Sequence, residues 1–124
     1  MSLLEELKSL GVNVDEGLDR VLGDSVLYKR MIGMFVDLVN NNSISLKDFS
    51  EADLSVLMER THVLKDITGN LAMTPLFKSY MKVMDFLRAG QAAAAREEFE
   101  KLLPAQAKII DCIKRYMGDS GSIS

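Results

Sequence analysis

Apolar residues along this chain recur at steps of three and four positions, and they seldom alternate with polar residues. That spacing predicts amphipathic α-helices rather than strands. Two short helices come first, from Ser2 to Gly11 and from Asp15 to Gly23. Four longer helices follow. The side chains predicted to face inward from the second short helix and from the four long ones are, in order, Leu18, Val21 and Leu22; Leu27, Met31, Met34, Phe35 and Leu38; Leu54, Leu57, Thr61, Leu64, Thr68 and Leu71; Phe77, Tyr80, Met84 and Leu87; and Ala95, Phe99, Leu102, Ile109, Ile113 and Tyr116.

Capping signatures, glycines and a helix-initiating proline predict where these helices begin and end. The predicted starts are Ser2 with Glu5, Asp15, Ser50 with Asp53, and Thr74 with Pro75, and the predicted ends are Gly11, Gly23 and Gly90. Four amphipathic helices with short connections bury their apolar faces most economically as an all-α, antiparallel, up-down-up-down four-helix bundle. We expect the short N-terminal helices to cap it, in a single domain over 1–117, and a flexible tail over 118–124, where GDSGSIS has no periodicity.

Composition narrows the classes of partner and compartment. The net charge is −3 and no block of five basic residues occurs, so neither nucleic acid nor an anionic membrane is an expected partner. No basic leader or membrane-spanning apolar run occurs in the sequence, and we expect a cytoplasmic protein. The single cysteine, Cys112, lies in an apolar helical pattern and is predicted to be a small core residue.

His62 is the only histidine in the chain. At about 100° per residue it lies roughly 130° from the centre of its helix's inner face, so its ring is predicted to face solvent. A convex helix face offers no cleft for acid–base chemistry, and His62 with Asp66 supplies too few ligands for zinc. By position alone His62 is an ordinary surface residue, but an exposed imidazole beside Lys65 also suits acceptance of a phosphoryl group. The residues predicted to share its face are Ser55, Met58, Lys65, Asp66 and Gly69.

The segment around this histidine resembles the hallmark of the histidine-containing phosphotransfer (HPt) domain, which reads His, any residue, Leu, Lys and Gly and then, after one further position, a small residue, Gly, Asn, Leu and Gly. The residues in register with it are His62, Leu64, Lys65, Gly69, Asn70 and Leu71. The resemblance spans Gly11 to Tyr116 and includes GVNVDEGLDRVLGDSVLYKRMIGMF near the N-terminus and RAGQAAAAREEFEKLL before the final helix.

This resemblance implies a phosphorelay intermediate. His62 would accept a phosphoryl group from an aspartate of one receiver domain and pass it to another, and Lys65 would stabilise the phosphate. Ser55, Met58, Asp66 and Gly69 would form the docking face, which Gly69 keeps low. The implied partners are response-regulator receiver domains and a hybrid sensor kinase. Magnesium is expected on the receiver, and this chain is expected to be a monomer with no cofactor, no metal and no ATP-dependent kinase activity.

Three residues depart from the hallmark. Thr68 stands where Ala or Ser is common and is expected to project into the inner face, and Ala72 stands where Gly is usual and is expected to be harmless in a helix. Asp66 replaces a Gly, and a carboxylate about 6 Å from phosphohistidine would oppose it by roughly 1 to 5 kcal/mol. Either His62 is phosphorylated but hands the phosphoryl group on readily, or Asp66 selects an unusual partner by altering the docking surface. A degenerate, non-phosphorylated docking module is the alternative, and a purely structural bundle is a weaker one.

Overall fold

The computed structural model describes residues 1–117, and within that range every regular element is an α-helix, as predicted. The predicted tail at 118–124 lies outside the described residues. No helix in the described range combines the length and apolarity needed to cross a membrane. The helices are α1 (Leu3–Ser9), α2 (Val14–Arg20), α3 (Ser25–Asn41), α4 (Asp48–Glu51), α5 (Leu54–Asn70), α6 (Thr74–Arg88) and α7 (Ala92–Met117).

All seven helices contribute side chains to one buried apolar cluster. Helix α6 packs against both α5 and α7, α3 also contacts α5 and α7, and α1 lies against α7. Phe99 of α7 joins three elements, because its ring centroid lies 5.5 Å from that of Phe49 in α4 and 6.4 Å from that of Tyr80 in α6. The Tyr80 hydroxyl donates to Gln106 Oε1, so this polar pair is satisfied inside the core.

The inner faces of α6 and α7 follow the sequence prediction except at Phe77, which is half-buried, and at Tyr116, whereas that of α3 differs more. The predicted inward residues Leu27 and Met34 are 39% and 50% exposed. The buried face of α3 consists of Tyr28, Ile32, Gly33, Phe35 and Val36. The predicted face and the buried face of α3 overlap at Phe35. The buried face contains Tyr28 and Gly33, and hydrophobic spacing alone favours neither residue as an inward position.

Several predicted helix starts differ from those in the structure. Asn13 caps α2 in place of Asp15, because its side chain accepts a bond from Glu16 N at 3.2 Å. Asp53 alone caps α5, since Ser50 belongs to α4, a one-turn helix that the sequence prediction missed. Thr74 is the first residue of α6 and makes no cap bond through its side chain to the first turn.

Helix α2 ends in a left-handed turn that the sequence placed one residue too late. Leu22, and not Gly23, occupies the first left-handed position after α2, with φ +55°. Its amide donates to Asp19 O at 3.1 Å, and the Gly23 amide donates to Leu18 O at 2.8 Å, the paired bonds of a Schellman motif. Leu22 was predicted to face inward, but it is 96% exposed.

We expect Leu22→Gly to stabilise the protein by about 0.5 to 1 kcal/mol. The left-handed conformation costs a non-glycine residue about 1 to 2 kcal/mol, and the greater freedom of glycine in the unfolded chain offsets only part of that gain. No buried contact is lost, because the Leu22 side chain is exposed. Chemical denaturation measures the change. Leu54→Gly is the control, because the same replacement within α5 should destabilise, and equal effects at both positions would contradict the expectation.

A polar cluster joins the end of α7 to α1. Arg115 pairs with Glu6, which holds the pKa of that carboxyl below its usual value, and the Tyr116 hydroxyl donates to Met1 O at 2.5 Å. Tyr116, predicted to face inward, is 41% exposed.

Cys112 is fully buried beside this cluster, as predicted, and burial together with the Glu6 carboxyl raises the pKa of its thiol to about 11.

Cys112 is therefore expected to react with thiol reagents about 100-fold more slowly in the folded protein than in denaturant, since only the thiolate is nucleophilic. The rate of labelling by an aromatic disulfide with and without denaturant measures this. Cys112→Ser gives the background rate. Equal rates in the two conditions would show that the thiol is open in the folded chain.

Candidate functional site

Helix α5 presents His62, and its own packing determines which way the histidine faces. Asp53 caps the helix, accepting from Ser55 N at 2.8 Å, and the same hydrogen bonding lowers the pKa of the Asp53 carboxyl. The opposite face is held in the core by Leu57, Thr61, Leu64, Ile67 and Thr68. The predicted inner face is confirmed over most of its length. Its first residue, Leu54, is an exception, because that side chain is 50% exposed.

The two buried threonines of α5 satisfy their hydroxyls within the helix. Thr61 Oγ1 donates to Leu57 O at 2.8 Å, and Thr68 Oγ1 lies 2.8 Å from Leu64 O and 2.9 Å from Lys65 O. Thr68 therefore projects into the core, as the sequence predicted. Because these polar groups need no partner from elsewhere, α5 can bury this face and leave His62 on the solvent side.

His62, Lys65 and Asp66 come together on the solvent side of α5. The side chains of His62 and Asp66 are each 52% exposed, whereas Lys65 is 23% exposed. One Asp66 oxygen lies 3.1 Å from His62 Nε2, and the other lies 3.9 Å from Lys65 Nζ. The carboxylate thus bridges the imidazole and the ammonium, an arrangement that the projection of the helix could not reveal because it fixes only which residues share a face.

The side of the site toward the start of α5 is formed by Met58 and Ser55. Met58 lies one turn before His62 and is half-buried against the core. Ser55 lies a further turn back, is exposed, and donates its hydroxyl to Asp53 Oδ1 at 2.7 Å. Met58 therefore offers apolar surface beside the histidine, whereas Ser55 serves mainly to begin the helix.

The side of the site toward the end of α5 is more crowded than the sequence indicated. A Cβ added to Gly69 would lie 2.9 Å from the ring of Phe77, so this glycine lets α6 pack closely against α5. The guanidinium of Arg20 in α2 donates to the Gly69 carbonyl and, at 2.7 Å, to Glu16. A groove of about 530 Å³ opens here between α2, α5 and α6, with Asp66 and Lys78 at its edges.

Tyr28 of α3 and Asn13, the cap residue of α2, hold the end of α5 in place. The Tyr28 hydroxyl donates to Leu71 O at 2.8 Å, and the Asn13 amide donates to Ala72 O at 2.8 Å. The expectation that Ala72 lies harmlessly in a helix is wrong, because Ala72 follows the end of α5 and is left-handed, with φ +58°. It occupies the position where a glycine is easiest to accommodate, so the hallmark's usual Gly at this point has a conformational reason.

The geometry supports nucleophilic chemistry at an open surface. An exposed imidazole with an adjacent cation can receive an anionic group carried in by another molecule, without a cleft of its own. No group of three or more potential ligands from His, Cys, Asp and Glu lies close enough to hold a metal ion anywhere in residues 1–117. Comparison with known proteins found no matching family model, no matching curated protein and no matching solved structure.

Sequence reasoning missed one contributor to this region, Arg20, and the exposure of three apolar side chains on α3. Arg20 was not singled out, because nothing local in α2 indicates a contact with a carbonyl 49 positions later. Exposed apolar side chains on α3, namely Val26, Leu27 and Met34, were missed because their hydrophobicity placed two of them in the core.

Proposed function

We propose that this chain is a phosphorelay carrier of the HPt type. Nε2 of His62, the ring nitrogen farther from the backbone, attacks the phosphorus of an aspartyl phosphate on a receiver domain, a P–N bond forms and the acyl P–O bond breaks. The carboxylate of the donor aspartate leaves, and the ring proton passes to water. The reverse step at a second receiver returns the phosphoryl group to an aspartate and the proton to the ring.

The observation that carries this proposal is the half-exposed imidazole on the solvent side of α5, with Lys65 one turn along. A carrier must present its nucleophile to two different proteins in turn, so an open surface suits it better than a cleft. A cation within reach offsets the charge of the transferred group. Magnesium and the reactive aspartate would be supplied by the receiver domain, and ATP would be used only by the partner sensor kinase.

The proposed architecture is an antiparallel four-helix bundle of α3, α5, α6 and α7. Two hydrogen bonds support opposite directions for α3 and α5, because Tyr28 near the start of α3 bonds Leu71 after α5, and Arg60 bonds Ser43 beyond the end of α3. Connections of three residues, 71–73 and 89–91, join α5 to α6 and α6 to α7. Such short connections favour antiparallel neighbours, which would make α5 a rigid support for His62.

We propose a cytoplasmic monomer that docks on receiver domains through the face of α5 formed by Met58, His62 and Asp66. The groove beside Gly69 would adjoin that face. Met58 is half-buried and supplies apolar surface, and apolar residues are typical of the centre of a protein–protein interface.

A docking module that carries no phosphate is the second candidate function. The contact of Asp66 with His62 Nε2 favours it, because the carboxylate occupies one side of the nucleophile. In that case the chain would bind a receiver domain or a sensor kinase and regulate it by occupying its surface.

Transfer of labelled phosphate from phosphorylated receiver domains of the same genome tests the proposal. Acid-labile label is expected on the wild type and absent from His62→Gln, while Lys65→Ala is expected to load more slowly. Binding of each variant to the same receivers is measured in parallel. Undiminished binding by His62→Gln, with no label on the wild type from any receiver, would replace the carrier with the docking module.

A further inference from the structure

An anion already occupies the place that a phosphoryl group on His62 would need. The two oxygens of Asp66 lie 3.1 Å from His62 Nε2 and 3.9 Å from Lys65 Nζ. The carboxylate therefore contacts both the nitrogen that would bond to phosphorus and the cation that would balance its charge.

We propose that Asp66 is an internal competitor of the phosphoryl group, which restrains loading of His62 and drives the group onward once it has been loaded. The inference rests on the proposed function and deepens it. It makes the chain a carrier that is rarely found loaded, with the transfer equilibrium displaced toward the aspartyl phosphates of its partners.

The restraint has two parts. Before transfer, the Asp66 side chain must rotate away from Nε2, and its half-exposed position allows this. After transfer, Asp66 is still only one helical turn from His62, where side chains are about 6 Å apart, and it repels a group with nearly two negative charges. Solvent at this exposed site weakens the repulsion, so we expect an effect of about tenfold on loading.

Lys65 limits the effect without cancelling it. The Lys65 side chain is the least exposed of the three, and its ammonium lies 3.9 Å from one Asp66 oxygen, so in the unloaded protein its charge is shared with Asp66. Removing the carboxylate would leave Lys65 free to balance the phosphoryl group alone. We therefore expect the charge of Asp66, rather than its size, to cause the restraint on loading of His62.

A small phosphoryl donor separates this inference from the proposed function, because it needs no partner protein. Phosphoramidate transfers its phosphoryl group to accessible imidazoles: its P–N bond breaks, ammonia leaves, a new P–N bond forms to the ring, and the ring proton passes to water. Loading of the wild type, Asp66→Asn and Asp66→Gly is followed by phosphorus NMR, with His62→Gln as the blank. The matched control is Glu100→Gln, which removes a similarly exposed carboxylate from another i,i+4 pair, on α7.

Asp66→Asn, which keeps the size but not the charge, is expected to load about tenfold faster than the wild type and to reach a higher plateau. The difference should shrink at about 1 M salt, where charges are screened within about 3 Å. Equal loading of the wild type and Asp66→Asn overturns the inference, and so does the absence of loading in both of them. A gain in Glu100→Gln equal to that in Asp66→Asn also overturns it. If receivers never load the wild type, the proposed function fails, but this comparison still decides the role of Asp66.

Discussion

Raising the pH through 10 to 12 is expected to destabilise the protein by about 5 kcal/mol, which is comparable to the lower end of the 5 to 15 kcal/mol typical of a small domain. Tyr28 and Tyr80 are both fully buried, and burial raises the pKa of Tyr28 to about 12 and that of Tyr80 further. In the unfolded chain both phenols lose their protons near pH 10. Unfolding then releases protons, so the stabilisation is complete below pH 10 and is lost as the pH rises through 12.

Denaturant titrations at a series of pH values from about 8 to about 12, with tyrosinate absorbance recorded alongside, measure this loss. Tyr28→Phe is the matched variant. At neutral pH it should be less stable than wild type by about 1 kcal/mol, because Leu71 O loses its donor, but its stability should fall less steeply in alkali. Parallel pH curves for the two proteins would show that Tyr28 does not contribute.

The helical segments could be predicted from the sequence because their signals are local. Gly11 and Gly90 end α1 and α6 in left-handed turns, as expected of glycines after helical patterns. The choice between two overlapping faces of α3 was not local, since it depends on Tyr28 reaching a carbonyl 43 residues away. Helix α4 escaped prediction because four residues are too few to show a period.

The site could be predicted as a set of residues but not as an arrangement. Helical spacing correctly placed His62 and Asp66 on the solvent side of α5, because Leu64 and its neighbours fix the rotation of the helix. It could not show that Asp66 contacts Nε2, since helical spacing does not fix the direction in which a side chain turns along the helix. Nor could it show that Phe77 and Arg20 fill the space beside Gly69, which depends on how α6 and α2 pack.

Gly17→Val is expected to lower the free energy of unfolding by about 3 kcal/mol. A Cβ at Gly17 would overlap Cε1 of the Tyr28 ring and would lie 2.6 Å from the Tyr28 hydroxyl oxygen. The tyrosine cannot move aside easily, because it is fully buried and its hydroxyl is bonded to Leu71 O. Helix α2 would be displaced instead, and the contact of Arg20 with the end of the His62 helix would be lost with it.

Two further variants separate this clash from the general cost of a valine in a helix. Asp19→Val places the same side chain on the exposed side of α2 and should cost a few tenths of a kcal/mol. Tyr28→Leu removes the ring atoms that Gly17 faces, so adding Gly17→Val to Tyr28→Leu should cost much less than adding it to wild type. Chemical denaturation of the wild type, Gly17→Val, Tyr28→Leu and the double variant gives the coupling energy between the two positions. An equal cost of Gly17→Val in both backgrounds would mean that the close approach of α2 to Tyr28 does not hold this end of the fold together.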